Sequence, residues 1–297
     1  MKLEEKLPNG CRSSLDVPGR EGMMYRTGRL HTVGAAAGPG EWAALEEPGP
    51  HFRPSGDSEV LLPFRLHAGT VDELLDRLPP LVAPPRFDAR HVRAAEPGAL
   101  LSLMLLAGVH GVAVPAVPIP PRALIPPVAI GGTLGAASLL EQVADVAECL
   151  ERMGWAEADS QAFTEIVHEL SRNALEHSGA QAWVAAWQTG PDELRLAVAD
   201  SGPGFAGPLG LHEEEHALRE ALRGRSRSGE PGRGKGLRRV AHAVARWGGR
   251  LRVRSRTVEF AGAPPWRDAV LRTHLPYLPG VQVEAVIPVR ATGPGRG

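Results

Sequence analysis

The chain has 297 residues, enough for one large or two ordinary domains that each bury a core. Lys and Arg total 33 against 34 Asp and Glu, so no global field draws it to nucleic acid or an anionic membrane, and any binding has to be local. The two cysteines, Cys11 and Cys149, lack metal-ligand spacing and read as reduced thiols of an intracellular protein.

Residues 1–10 carry Glu4, Glu5 and lysines with no apolar stretch behind them, which is not a secretory signal and predicts a cytoplasmic protein. Residues 1–57 are rich in Gly, Pro and charge and read as a loose extension. Residues 58–118 alternate: a strand over Val60–Leu66, a helix over Val71–Leu78, a strand over Pro85–Val92, an apolar helix over Leu100–Leu106 and a buried strand over Gly111–Val117. That pattern predicts a small α/β domain. The apolar run Ala99–Val114 is shorter than the roughly 20 residues a membrane span needs, and Gly108, His110 and Gly111 interrupt it. Residues 119–136 begin with a proline-rich stretch that cannot be helical and serves as a linker or an edge extension.

A second domain is expected over residues 137–290, with residues 291–297 as a tail. Leu139, Leu140, Val143, Val146, Ala147 and Leu150 recur at helical spacing. A second helix runs to about Ser178, with Asp159 or Ser160 as the N-cap and Gly179 as its stop. Strands follow at Trp183–Gln188 and Leu194–Ala199, then the polar segment Gly207–Pro231 and a helix over Lys235–Trp247. Three further strands are expected, over Arg250–Phe260, Asp268–His274 and Val281–Val289. The sum is an α+β sandwich, a helical layer on a mixed or mostly antiparallel sheet.

Three clusters carry the chemistry. On the second helix Phe163, Ile166, Val167, Leu170 and Ala174 define a core face, while Glu165, Glu169, Asn173 and His177 recur every four residues along another side. Asn173 suits magnesium, which takes oxygen ligands and keeps waters while binding nucleotide phosphates, and Glu169 one turn earlier could accept a proton. An ordinary solvated helix face explains the same spacing. Asp200 ends a strand ahead of Gly202 and Gly204, where a carboxylate could accept a hydrogen bond from an adenine amino group; an Asp-Ser-Gly turn is the plain alternative. Gly232, Gly234 and Gly236, followed by Leu237, precede a helix whose start could face phosphate oxygens, with Arg233 and Lys235 adding positive charge. Together the clusters read as a site for ATP and Mg2+.

Two mimics fail at single residues. A zinc-protease helix needs a second histidine where Arg172 stands, and a P-loop needs Ser or Thr where Gly236 stands. His168 is left as a packing or hydrogen-bonding residue.

With all three clusters in order, residues from about Leu139 to Val289 resemble the Bergerat-fold, or GHKL, ATPase domain shared by histidine kinases, anti-sigma serine kinases, gyrase B, Hsp90 and MutL. Glu169, Asn173 and His177 match the N box, Asp200, Gly202 and Gly204 the first glycine box, and Gly232, Gly234, Gly236 and Leu237 the second. The resemblance implies that Asn173 binds magnesium, Asp200 reads adenine, Glu169 is the general base and Gly207–Pro231 is a mobile ATP lid. No acceptor-histidine helix precedes Leu139, and the single helix leading into the N box is more similar to the anti-sigma serine kinases. Residues Val60–Pro118, including Phe87–Val92 and Pro97–Leu101, resemble a STAS domain of the anti-anti-sigma type. Glu96 and Pro97 stand where its acceptor serine would be, which implies an interaction platform for a regulatory partner protein of STAS or sigma-factor type. A homodimer is a further possible assembly.

Overall fold

A seven-stranded antiparallel sheet organises the chain, in the order β11-β10-β9-β12-β8-β7-β6. Its strands are β6 (Ile125–Ile130), β7 (Ala182–Gly190), β8 (Glu193–Asp200), β9 (Arg250–Ser255), β10 (Val258–Gly262), β11 (Val270–Arg272) and β12 (Val281–Pro288). The computed structural model describes residues 51–52, 59–77, 85–130, 143, 145–179, 181–224, 236–266 and 268–289. All of these lie in one compact unit, Glu47–Gly297; of the extension expected over 1–57 only residues 51–52 are described, as a strand, and the tail 291–297 lies outside the described residues.

The front of the sheet carries the helices expected of the second domain. The helix α3 (Glu157–Ser178) buries Phe163, Ile166, Val167, Leu170 and Ala174, and α6 (Gly236–Arg246) buries Leu237, Val240, Ala241 and Val244. Both face Leu194, Leu196 and Val198 of β8, Leu251 and Val253 of β9, and Val283, Ala285 and Ile287 of β12 in one core. The helix α3 begins one turn earlier than the sequence suggests, behind Ala156. Ser160 Oγ donates to the Ala156 carbonyl at 3.3 Å, and Asp159 accepts from Trp247 Nε1 at 2.8 Å, so neither side chain caps the helix. Gly179 ends it in the left-handed conformation at φ 58°, which glycine adopts without strain.

The expected strand over 250–260 is instead a hairpin, β9 and β10, turning at Arg256 and Thr257, with Arg256 at φ 53°. No glycine or proline marks that turn, which is why it reads as one run. The last strand, β12, inserts between β8 and β9.

The back of the sheet changes the domain organisation. The first segment supplies β1 (His51–Phe52), β2 (Glu59–Leu61), β3 (Arg65–Leu66), α1 (Ala68–Arg77), β4 (Arg86–Asp88), β5 (Ala94–Ala95) and α2 (Pro97–Val109). Strands β2 and β4 pair in parallel, as do β3 and β5. The helix α2 is apolar on every side and buried along most of its length, as an all-round hydrophobic helix must be. Leu100, Leu101, Leu103, Leu105 and Leu106 share one core with Val60, Leu66 and Leu74 of the same segment and with Trp183, Ala185, Trp187, Ala197 and Ala199 of β7 and β8. Trp187 Nε1 donates to the Ala95 carbonyl at 3.0 Å across that junction.

Residues 58–118 therefore do not build a free-standing core, and the stretch read above as a linker or an edge extension takes the second form, contributing β6, the edge strand beside β7. Its prolines are tolerated because one side of an edge strand needs no donors. The strand expected over 111–117 does not form, since Pro115 and Pro118 bring no backbone N–H and the segment lies half-exposed. Among the described residues no helix is long and apolar enough to cross a membrane.

Trp187 is 1% exposed and joins the two segments, so Trp187→Ala is expected to cost about 3–5 kcal/mol through cavity formation and the loss of its indole donor. Urea denaturation monitored by circular dichroism measures this. A loss below about 1 kcal/mol would mean that the junction contributes little.

Candidate functional site

The helix α3 places its four-residue stripe unevenly. Glu165 and His177 are exposed, while Glu169 and Asn173 are half-buried where α6 begins. A Cβ placed on Gly236 would lie 2.7 Å from Glu169 Cδ and 2.9 Å from Asn173 Nδ2, so glycine here leaves the ends of those two side chains where they stand. Leu237, next in sequence, is buried and anchors the start of α6 in the core. The first and third sequence clusters thus meet at Gly236. Arg172 Nη2 donates to both carboxylate oxygens of Glu169, at 2.9 and 3.0 Å. The residue that breaks the zinc-protease pattern is therefore the one that orients Glu169.

The second cluster forms at the end of β8. Leu194, Leu196 and Val198 face the front core, and by strand alternation Asp200 faces the same way. Its Oδ1 accepts from the Gly202 N–H at 2.8 Å and the Val281 N–H at 3.4 Å. Burial pushes the carboxyl up to about 6, against the lowering effect of those two backbone donors. Among the described residues no hydrogen bond reaches Oδ2. A Cβ on Gly202 would lie 2.6 Å from Ser178 Cα, which ties this turn to the last turn of α3. Gly280, at φ 72°, packs against the backbone carbonyl of Asp200.

Gly204, at φ 78°, leads into α4 (Ala206–Leu209), and α5 (Glu214–Arg223) follows. Glu214 accepts from the Phe205 N–H at 2.7 Å and the Ala206 N–H at 3.4 Å, and Ser255 Oγ donates to the same carboxylate oxygen. Glu214 and Gly280 escaped the sequence reading. The Pro279-Gly280 turn signal before β12 could have flagged the second, whereas Glu214 stands in a run of three glutamates with nothing to single it out.

Gly232, Arg233, Gly234 and Lys235 lie outside the described residues, so the structure places Gly236 and Leu237 alone from the third cluster. Among the described residues no hydrogen bond reaches His177, which the site does not gather in. The mobile lid expected over Gly207–Pro231 is corrected for its first part. Ala217, Leu218, Ala221 and Leu222 make α5 amphipathic, and the last three dock it in the front core, a stripe hidden in the sequence by the charges around it. Residues 225–231 lie outside the described residues.

Residues 158–277 match the sequence model of the family described as "Histidine kinase-, DNA gyrase B-, and HSP90-like ATPase". This part of the chain is a GHKL ATPase domain. The matched region begins in α3 and ends just before β12, and so contains all three clusters. No curated protein matches the chain. Among solved structures, the "Mycobacterial sensor histidine kinase MprB" is 22% identical over 56% of this chain and 98% of its own, at a TM-score of 0.31. That superposition is too loose to add to the fold.

The GHKL site residues fit a nucleotide on two grounds. Gly236, Gly202 and Gly280 keep backbone close to Glu169, Asn173 and Asp200, and Asp200 Oδ2 accepts from no protein donor among the described residues. Among the same residues no group of three His, Cys, Asp or Glu forms a metal cage.

The raised pKa gives a test of the Asp200 environment. A carboxyl raised from 3.8 to about 6 in the fold adds stability that is fully present below pH 3.8 and lost as pH rises through about 6. The neutral Asp200→Asn keeps the Oδ1 acceptor and escapes that loss. Above pH 7 the variant is expected to melt with about 1–3 kcal/mol more stability than wild type, and below pH 4 with no such advantage. Thermal melts across pH 4–8 check it, and a gap that does not change with pH would refute the burial argument.

Proposed function

We propose that the chain is a histidine kinase-like, ATP-binding regulatory protein that passes the γ-phosphoryl group of magnesium-ATP to a hydroxyl on a partner protein. The observation that carries the reading is the meeting of Glu169, Asn173 and Gly236 on one side of α3, with Asp200 and Gly202 at its last turn. Asp200 accepts from the adenine amino group through its free oxygen. Asn173 lends a side-chain oxygen to magnesium, whose remaining ligands come from phosphates and water. The start of α6, with Gly232, Gly234, Arg233 and Lys235 ahead of it, faces the phosphates.

Glu169 takes the proton from the attacking serine or threonine hydroxyl as its oxygen bonds to the γ-phosphorus and ADP leaves with the bridging oxygen. The partner is a regulatory protein, in line with the resemblance to anti-sigma serine kinases.

One observation favours a second reading, an ATP-gated interaction module without transfer. Both oxygens of Glu169 are engaged by Arg172, which opposes proton abstraction unless that pair opens. Incubation with γ-labelled ATP, magnesium and candidate partners separates the readings. Acid-stable label lost in Glu169→Ala, with ATP binding kept, is the expected result. Binding without any transfer selects the gated module, and acid-labile label selects a histidine acceptor in trans. Asn173→Ala is expected to abolish the magnesium dependence of nucleotide binding, and calorimetry with and without the ion checks that.

A further inference from the structure

The carboxylate of Asp200 is held from behind by contacts that begin outside the ATPase domain. Asp72 of α1 is buried and forms an ion pair with Arg254 of β9, which is 2% exposed. Arg254 also donates through Nη2 to the Pro276 carbonyl and through Nε to the Arg256 carbonyl at 3.2 Å. Pro276 has no N–H of its own, so its carbonyl is the group by which this backbone is gripped. Two residues on, Leu278 is fully buried in the core shared with Val60, Leu74 and Trp183. The segment then reaches Gly280, whose carbonyl accepts from the Arg256 N–H at 3.2 Å and whose Cα packs on the Asp200 backbone. The next N–H, that of Val281, donates to Asp200 Oδ1. Arg272 Nη2 lies 3.1 Å from Asp72 Oδ2, an ion pair without hydrogen-bond geometry, so Arg254 is the hydrogen-bonded partner of Asp72.

We propose that Arg254, held by Asp72 of the first segment, is a positioning residue that sets the place of Asp200 through residues 276–280 and thereby the selectivity for adenine. The proposal rests on the reading that Asp200 contacts the adenine amino group. Neither Asp72 nor Arg254 touches the nucleotide site. They fix the backbone that carries the Gly280 surface and the Val281 donor, and these fix one carboxylate oxygen so that the other is aimed outward. Displacing that backbone leaves the glycine clusters and Asn173 in place, so phosphate binding survives while discrimination at the base is lost.

The test compares ATP with inosine triphosphate, which carries an oxo group in place of the amino group. Affinities of the full chain are measured with magnesium, well below the melting temperature of each protein, for wild type, Asp200→Asn, Asp72→Asn, Arg254→Lys and the Asp72→Asn/Asp200→Asn double variant. Wild type is expected to prefer ATP, and Asp200→Asn to lose that preference. Asp72→Asn and Arg254→Lys are expected to reduce it about three- to tenfold while inosine triphosphate affinity holds, and the double variant to match Asp200→Asn alone. Equal weakening toward both nucleotides, or an unchanged ratio in Asp72→Asn, would overturn the positioning role while leaving the nucleotide site intact. A wild type without preference, or an Asp200→Asn without effect, would remove the adenine reading and this proposal with it. If Arg254→Lys fails to fold, the isosteric Asp72→Asn decides.

Discussion

Charge buried on the back of the sheet is the constraint on which the rest depends. Strands β8, β9, β10 and β12 turn apolar residues to the front core and Arg195, Arg252, Arg254, Glu259 and Glu284 the other way. Such a face would normally meet water, yet the first segment covers it. Arg195 Nη1 lies 2.9 Å from Glu96 and 3.5 Å from Glu284, Arg252 Nε donates to Glu259 at 2.7 Å, and Arg254 pairs with Asp72. Burial pushes the Glu284 carboxyl up, and the guanidinium groups of Arg195 and Arg252 act against it. Removing one member of a buried pair strands the other at about 3–5 kcal/mol, far more than an exposed pair contributes. Because Glu96 and Asp72 come from the first segment, covering the sheet and neutralising it are one event. That is why two cores share β7 and β8 rather than standing apart.

The front of the same sheet obeys the opposite rule, and the site arises where that rule is broken. Asp200 occupies an apolar-facing position at the end of β8, so its carboxylate enters low dielectric and is pushed up to about 6. Backbone donors from Gly202 and Val281 reach one oxygen, and Gly202 and Gly280 allow the close approach that burial requires. At the other cluster, Gly236 lets α6 start against the side-chain ends of Glu169 and Asn173, which a larger residue would displace. Chemistry-bearing side chains are thus held half-buried beside backbone that no side chain crowds. Such an arrangement suits a ligand with a polar base and charged phosphates.

Much of the ATPase domain was legible because its signals are local. The apolar period of α3, the αL glycine at its end, the alternation in β7, β8 and β12, and the spacing of Glu169, Asn173, Asp200 and Gly236 all sit within short windows of sequence. What stayed hidden depends on partners far along the chain. The prolines of residues 119–128 leave a linker and an edge extension equally open until β7 is seen to need an edge neighbour. The alternating arginines of β9 look solvent-facing until Asp72 and Glu259 are brought to them. The helix α5 is hidden inside a polar stretch because its four apolar residues stand among six charged or histidine residues, and only the front core reveals it.

The start of α2 shows how packing narrows a function suggested by resemblance. In the STAS-like reading this helix start is where an acceptor hydroxyl belongs, and the first segment should offer a platform for a partner. Here a Cβ on Gly98 would lie 2.8 Å from Glu284 Cδ, and the Gly98 N–H donates to Glu284 Oε1 at 3.3 Å. A carboxylate of the sheet therefore closes the positive end of the helix, where a partner's phosphate or carboxylate would otherwise be favoured. Any platform on the first segment has to use the side turned from the sheet, where Glu73 and Asp76 of α1 are exposed.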